Sequence, residues 1–582
     1  MPKLPFMCGR APADPLGSAG RAGDLVAFVL GPTSAQAWGA PARPRGALVG
    51  PGLRRVLDLP DALSLAADVE RRHPRWVWWS ADGAGRLLVD RGVRPARAWD
   101  IAEAHRLLQG GWDASPGLAW AAAHGLPADS VPAPPTGDLF EAAVGGLDGA
   151  GEESPVRPDG HLRADAAALT WAVTDERLLA WGDALLACAA AQRKQAAATW
   201  PRLLDTVHAE SAAALLCEEL RHDGLPIDRA TLTALVEPFS GPREERDSAV
   251  LRHVPGREHT DLRNPAAVRD LLAAVGIEVP TTRKHVLEAY REAHPVVPAL
   301  LAWRAEERIA TTYGLRWIDA HVGPDDRLRG RWTACDGAGG RMTAEAGLHN
   351  LPALLRPGVA ARPGHVFVRA DLGQIEPRVL AVVSGDGAFA RASAADDLYA
   401  PVAQRLGVER AVAKVAVLAA MYGQRSGPAG QALQGLEAAY PVAMAYLDRA
   451  YRAGTRGEPV RTYGGRLIPT GRFVTGETIG ANAALDAARG RFARNAVIQG
   501  AAAELFKAWA ATVRATTRGL GATIVLCLHD EVLVHAPARR AQDVAAAVEA
   551  ALTDAARRWS GGAPVRFVAD ISLVNRWSDA KG

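Results

Sequence analysis

Two aspartates close apolar runs of this sequence in positions that suit a hard cation. The run His365-Val-Phe-Val-Arg-Ala-Asp371 reads as a short strand ending on a carboxylate, and Leu372-Gly-Gln-Ile-Glu-Pro-Arg-Val-Leu380 after it reads as a helix. Pro377 is tolerable there only in the first turn, where its missing N–H costs little, so Asp371 stands at a strand-to-helix corner. Much later, Ala522-Thr-Ile-Val-Leu-Cys-Leu528 and Val532-Leu-Val-His-Ala-Pro537 flank His529-Asp530-Glu531. This pattern predicts a hairpin with two carboxylates at its tip, without the usual Asn-Gly turn. If the two strands are neighbours in one sheet, Asp371 and Asp530 converge into an oxygen-rich site suited to magnesium. Two such ions ~3.5–4 Å apart stabilise both the attacking and the leaving oxygen of an in-line phosphoryl displacement. Either aspartate alone is an ordinary cap or turn residue; the combination carries the chemistry.

Between the two strands, Glu409 to Gly423 has a strong helix pattern with its stop at Gly423 and Pro428. Arg410, Lys414, Leu418 and Tyr422 recur every fourth residue and share one stripe of its surface. Two cations four residues apart repel each other unless an anion lies across them, and a triphosphate fits. Lysine is sparse, six residues among 67 basic ones, so a lysine inside a motif carries more weight than usual.

The elements that must position these groups follow from composition and pattern. A chain of 582 residues predicts three or four units sharing interfaces, and 48% hydrophobic with 23% charged residues is ordinary for globular proteins. With a net charge of only +3, any nucleic-acid site depends on local placement of arginines. Five cysteines without CxxC pairs exclude a disulfide framework and a structural zinc. No apolar run is long enough for a signal-peptide core or a membrane span, so no membrane association and a cytoplasmic location are expected. Residues 24–127 mix short apolar runs with helical stretches, as an α/β unit does; residues 128–160, rich in Pro, Gly and acids, read as a linker. Residues 161–235 and 264–320 read as helical, and strands return near 365 and 523.

At these residues the sequence resembles the family A DNA polymerases. Asp371-Leu-Gly-Gln-Ile-Glu-Pro-Arg378 is similar to the family's first palm motif, Arg410 to Gly423 to its fingers helix, and Leu528-His-Asp-Glu-Val532 to its last palm motif, in the family's order. Supporting stretches are Gly340-Arg-Met-Thr, Leu348-His-Asn-Leu-Pro352, Thr462 to Pro469, Arg491 to Gly500, and a thumb-like helical segment from Asn264 to Tyr313. The resemblance covers about residues 205–582. It implies an α/β multidomain fold: a right-hand polymerase of palm, fingers and thumb, preceded by an RNase H-like exonuclease-type domain. The expected boundaries are 1–195 for the first domain and 196–582 for the polymerase, with the thumb at about 205–330, the palm at about 331–390 and 480–582, and the fingers at about 391–479.

Carried over by position, the resemblance implies that Asp371 and Asp530 bind two Mg²⁺ ions, with Mn²⁺ as a possible substitute. Leu372 stands beside them in the metal set and Glu531 in a supporting role. Arg410 and Lys414 grip the incoming dNTP, Lys414 facing the leaving pyrophosphate; Gln374, Leu418 and Tyr422 also face the nucleotide, and Glu376 is the steric gate against a ribose 2′-hydroxyl. Arg341, Asn350, Arg491, Asn495, Gln499 and His529 contact primer-template DNA, and the spacing of Arg491, Asn495 and Gln499 puts them on one helix face. Some positions depart from the family: Leu418 replaces an aromatic residue, Tyr399 a histidine, and Leu372, Gly373 and Pro377 the usual Tyr, Ser and Leu. The span from Asp397 to Lys414 is short, which implies reduced fingers.

In the N-terminal third, Trp76 to Leu108 resembles part of the exonuclease domain. Its active site needs an Asp-x-Glu on the first strand. Asp68-Val-Glu70 lies in a helical pattern, the remnants Asp82 and Asp165 lack that partner, and His161 stands where a Tyr is expected. The expectation is therefore a nucleoid-associated DNA polymerase for repair or gap filling, without proofreading. The alternatives are a polymerase-like DNA-binding protein of weak or no catalysis, and a bifunctional enzyme with residual nuclease activity.

Overall fold

The computed structural model describes residues 21–31, 44–133, 153–167, 171–423, 429–471 and 482–580. Most of the expected linker, residues 134–152, lies outside them.

The N-terminal unit is built on a five-stranded sheet of β1 (Leu25–Leu30), β2 (Arg45–Gly50), β3 (Leu53–Asp58), β4 (Arg75–Trp78) and β5 (Arg97–Asp100), in the order β3-β2-β1-β4-β5. The first three strands pair antiparallel, and β4 and β5 add in parallel. Alternation puts Val26, Phe28, Trp76 and Trp78 on one face, continuous with the main core of the molecule, and Ala27, Val29, Val77 and Trp99 on the other, against a separate cluster. That second cluster is closed by the long helix α1 (Asp175–Thr199), capped by Thr174. The helix runs through the expected boundary at 195, and the chain turns only at Trp200–Arg202, where α2 (Leu203–Asp223) begins.

Helix α2 joins the two halves. Ser211 Oγ accepts the Asp100 N–H at 3.0 Å, while Glu219 accepts from Arg514 Nε and Nη2, each at 2.7 Å. Glu210, 1% exposed, pairs with buried Lys507 and, at 2.9 Å, with Arg466. Opposite charges removed from water must pair in this way, because a lone buried ion is strongly destabilising.

Residues 229–321 are mainly helical, and Val250 through Trp303 pack around a core of their own. Between the N-terminal unit and residue 365 the sequence shows no strand, yet short ones occur at Trp332–Asp336 and Arg341–Ala344, paired across a glycine-rich turn.

The C-terminal sheet holds β6 (His365–Leu372), β7 (Thr523–Leu528), β8 (Glu531–Pro537) and β9 (Ala569–Val574), in the antiparallel order β7-β8-β6-β9. Its buried side chains Val368, Ala370, Leu372, Val532 and Val534 belong to the main core, which also takes in α5 (Ala483–Thr517) and α6 (Ala541–Ser560) once α3 (Ile375–Ser384) and α4 (Arg410–Tyr422) are counted. Fully burying a side chain of this size contributes roughly 1.5–3 kcal/mol, so the sheet is a rigid base for whatever its open end carries.

Candidate active site

The register of the C-terminal sheet sets a row of acids at one end. Asp371 on β6 is the direct partner of Glu531 on β8 and of Asp570 on β9. Asp530 sits in the turn between β7 and β8, beside His529, whose φ of 51° is left-handed. The Leu372 N–H donates to the Asp530 carbonyl at 2.9 Å and fastens that turn to the end of β6. The expectation that the two strands are neighbours is met by β6 and β8, and the Asp371 carboxyl feels the charge of Asp530. Burial, then the charge of Asp530, pushes the Asp371 carboxyl up to about 6, and burial raises Asp530 as well.

Arg369 stands among these acids. Its Nη2 donates to Asp371 Oδ2 at 2.7 Å and to Glu531 Oε2 at 2.9 Å, and its Nη1 lies 3.6 Å from Asp570. The other Glu531 oxygen accepts the Trp577 indole N–H at 2.6 Å. Glu531 is therefore fully engaged within the protein. Asp371 Oδ1 and the Asp530 carboxylate accept no side-chain hydrogen bond among the described residues, and this hard-oxygen donor set fits a divalent cation such as Mg²⁺. Leu372 has a buried side chain, so only its main-chain carbonyl can serve a metal.

A cleft of about 280 Å³ opens beside Asp530, lined by Arg341, Gln374, Glu376, Tyr399, Leu418 and Tyr422, among others. Glu376 on α3 is held from both sides, by the Tyr422 hydroxyl and Arg341 Nη2, each at 2.9 Å. Burial and the nearby Glu376 charge push the Tyr422 phenol up to about 12, so it stays a donor. Gln374, at φ 56° before α3, gives its amide to Asp397 at 2.7 Å and accepts the Leu398 N–H at 2.8 Å. It therefore braces the Asp397 loop, and both ends of its amide are engaged. Arg378, wholly buried, holds the same loop through main-chain oxygens, Ser393 at 2.8 Å and Ala395 at 2.9 Å among them.

The stripe on α4 is present, but the anion across Arg410 is part of the chain. Asp397 accepts from Arg410 Nε at 2.6 Å and Nη2 at 3.2 Å, and the guanidinium lies 5.7 Å from the Tyr399 ring centre. Lys414, one turn further, is exposed and makes no ion pair among the described residues.

A second cleft, of about 370 Å³, is lined by Arg341, His349, Asn495, Gln499 and His529. Burial lowers the basicity of the His529 ring, followed by repulsion from Arg341. Two residues expected with this group do not line that cleft. Asn350, beside it, points its amide at His349, at 2.7 Å, while its main-chain carbonyl accepts from Tyr313 and Arg308. Arg491, although on the same helix α5, packs by its aliphatic stem near Gly423 at the end of α4.

The N-terminal candidates do not form a comparable group. Strand β1 is Leu-Val-Ala-Phe-Val-Leu and carries no acid, and Asp68 and Glu70 lie in the helix Leu59–Glu70. Asp165 is bound in a fork by Arg163, at 2.9 and 3.0 Å, and buried His161 faces the Pro127 carbonyl at 3.0 Å. Asp82 lies in the turn of helix after β4. Asp100 is consumed as a helix cap that accepts from Glu103 N and Ala81 N. Burial pushes its carboxyl up to about 7, with the Glu103 charge adding.

Sequence reasoning did not find Arg369, Asp397 or Trp577. Arg369 was signalled, since an arginine two residues before Asp371 on a strand must share its face. Asp397 was signalled weakly by its place upstream of Arg410. Nothing local marks Trp577, which meets Glu531 through the β9 connection.

Comparison with known proteins bears on family and fold. The family model described as DNA polymerase family A matches residues 270–579. Among curated proteins, a thermostable DNA polymerase I of Thermus thermophilus is 30% identical over 330 residues, 52% of this chain and 38% of that protein. The DNA polymerase I of Chloroflexus aurantiacus is 34% identical over 286 residues, 43% of this chain and 29% of that protein. The matched part thus spans well under half the length of these relatives. Among solved structures, the POL domain of Pol1 from M. smegmatis, in complex with a DNA primer-template and dNTP, superposes with a TM-score of 0.66 at 20% identity and covers 96% of each chain, a likeness of fold.

Proposed function

The chain belongs to the family A DNA polymerases, and from that premise we propose that it is a template-directed DNA polymerase adding deoxynucleotides to a primer 3′-hydroxyl. The observation that carries this reading is the convergence of Asp371 and Asp530 at one sheet end, with carboxylate oxygens left open beside the cleft that Glu376 faces. Asp371 and Asp530 would hold two Mg²⁺ ions there, with Mn²⁺ as a substitute, which would supply activation of the attacking hydroxyl and neutralisation of the leaving pyrophosphate.

The remaining work falls to the side chains. Arg410 and Lys414 on the fingers helix receive the triphosphate, and Arg410 must exchange Asp397 for it. Glu376, fixed by Tyr422 and Arg341, fills the space of a ribose 2′-hydroxyl and selects deoxynucleotides. Arg341, Asn495, Gln499 and His529 line the surface offered to the base-paired primer end. The C-terminal sheet then serves as palm and the helices of about residues 205–330 as thumb, and the N-terminal unit is an exonuclease-like domain without a proofreading site. Repair or gap filling inside the cell is the fitting task. No helix among the described residues is long and apolar enough to cross a membrane.

Primer extension on a gapped template with Mg²⁺ and dNTPs tests the assignment. The full chain extends the primer, and Asp371→Ala or Asp530→Ala each reduces the rate by about a thousandfold or more, the scale expected when electrostatic stabilisation is removed. Substantial extension by either variant refutes the metal assignment.

A further inference from the structure

Arg369 and Asp371 are two residues apart on β6 and so share its face. The strand register completes a row of three carboxylates across adjacent strands, Glu531, Asp371 and Asp570. Such a row repels itself. Arg369 is the cation whose nitrogens reach all three, at 2.9, 2.7 and 3.6 Å, and its side chain is only 6% exposed. It cannot drift into solvent or lose its proton. Trp577 fixes Glu531 from the far side, and the Arg356 guanidinium lies 4.3 Å from the Trp577 ring centre.

We propose that Arg369 is a built-in counter-charge of the metal site. It keeps Asp371 and Glu531 in place without metal and competes with the metal for Asp371 Oδ2, so the site holds divalent cations more weakly than its carboxylates alone dictate. This rests on the reading of Asp371 and Asp530 as metal ligands. A fixed positive charge within a few ångströms of a divalent ion, largely shielded from water, opposes it far more than a surface lysine does, because salt screens it little. Arg369 is a positioning residue here, acting on the metal through the carboxylates it grips.

Calorimetric titration of the full chain with Mn²⁺ alone, without DNA or nucleotide, reads the effect directly. R369Q binds Mn²⁺ about tenfold more tightly than the unmodified protein and gains more thermal stabilisation from it, as binding linkage requires. R369K, which keeps the charge but loses the fork, stays within about twofold. A loss of packing alone does not tighten metal binding. Folded R369Q with unchanged or weaker Mn²⁺ affinity overturns the proposal. Should R369Q fold only with metal, the double variant R369Q/D570N, which removes one of the repelling carboxylates, takes its place in the calorimetry, and a Mn²⁺ affinity no tighter than that of D570N overturns the proposal too. The double variant D371N/D530N is the control. Mn²⁺ binding that survives in it condemns the reading of the metal site, whereas loss in the control with an unchanged R369Q condemns only the role of Arg369.

Discussion

The N-terminal and C-terminal sheets hold similar raw material and put it to opposite ends. Both are mixed into α/β units, and both have aspartates where strands stop. In the C-terminal sheet the register draws Asp371, Glu531 and Asp570 into one row, and the turn after β7 adds Asp530. In the N-terminal unit the first strand has no acid, Asp165 is tied to Arg163, and Asp100 spends its oxygens on main-chain N–H groups and the Trp78 indole. An acid becomes a cation ligand only where neighbouring strands leave its lone pairs unspent and aim several at one point. An acid whose oxygens are taken by caps and arginines is structure.

The largest contrast follows directly. Where Asp371→Ala costs about a thousandfold in primer extension, the paired substitution Asp82→Ala with Asp165→Ala leaves extension within about twofold and leaves a 3′-labelled single strand intact in Mg²⁺. Shortening of that label by the unmodified protein, abolished in the pair, would break the comparison.

A smaller effect is expected at Glu376. Its two oxygens are occupied by Tyr422 and Arg341, so its carboxylate is held rigidly at the cleft. Glu376→Ala opens the volume a 2′-hydroxyl needs and lowers the preference for deoxynucleotides over ribonucleotides by about tenfold or more, within the range that one shaped contact supplies. Competition assays with dNTP and NTP mixtures read it, and unchanged sugar selectivity removes the gate assignment.

How much of this was legible is itself a matter of range along the chain. Three strands of the C-terminal sheet announced themselves, β6 as an apolar run that reaches an acid and β7 and β8 as apolar runs flanking two more, whereas β9 was not read as a strand; the spacing of α4 fixed which of its residues share a face. Gln374 was legible as a member of the cleft but not as a brace, because its partner Asp397 lies 23 residues away. The Arg369 fork needs the partner strands β8 and β9 in register, 162 residues away in the case of Glu531. The hairpin Trp332–Ala344 was missed since its glycine-rich turn hides a short, irregular pairing. Asn350 and Arg491 were placed by motif alone, and motif does not say which way a side chain turns.

The pH response separates the sheets again. A metal can bind Asp371 only after the proton leaves, and burial and the Asp530 charge hold that proton up to about pH 6. Mn²⁺ affinity of the free protein therefore rises with pH and falls by about tenfold from pH 7 to pH 5, the fraction ionised at each. Asp100, also raised to about 7, works on stability instead. Its folded value lies above its unfolded one, so the native state is favoured at low pH and loses that advantage as pH climbs from about 4 to 7. Thermal melts of Asp100→Asn against the unmodified protein show a flatter profile across that window.

The smallest predicted effect concerns the internal anion against α4. Arg410 is exposed, and its fork with Asp397 is an ion pair of the kind worth little in water, so a triphosphate with several charges displaces it readily. Asp397→Asn keeps an oxygen for the Tyr399 N–H and for Gln374 but removes the charge. Freed from that competitor, Arg410 meets the nucleotide sooner, and KM for dNTP falls by about two- to fivefold with kcat unchanged, because the pair is broken in ground and transition states alike. A fall in kcat instead means that Asp397 positions Arg410 during the reaction, and the resemblance between an acid on the chain and the phosphate it stands in for goes further than competition.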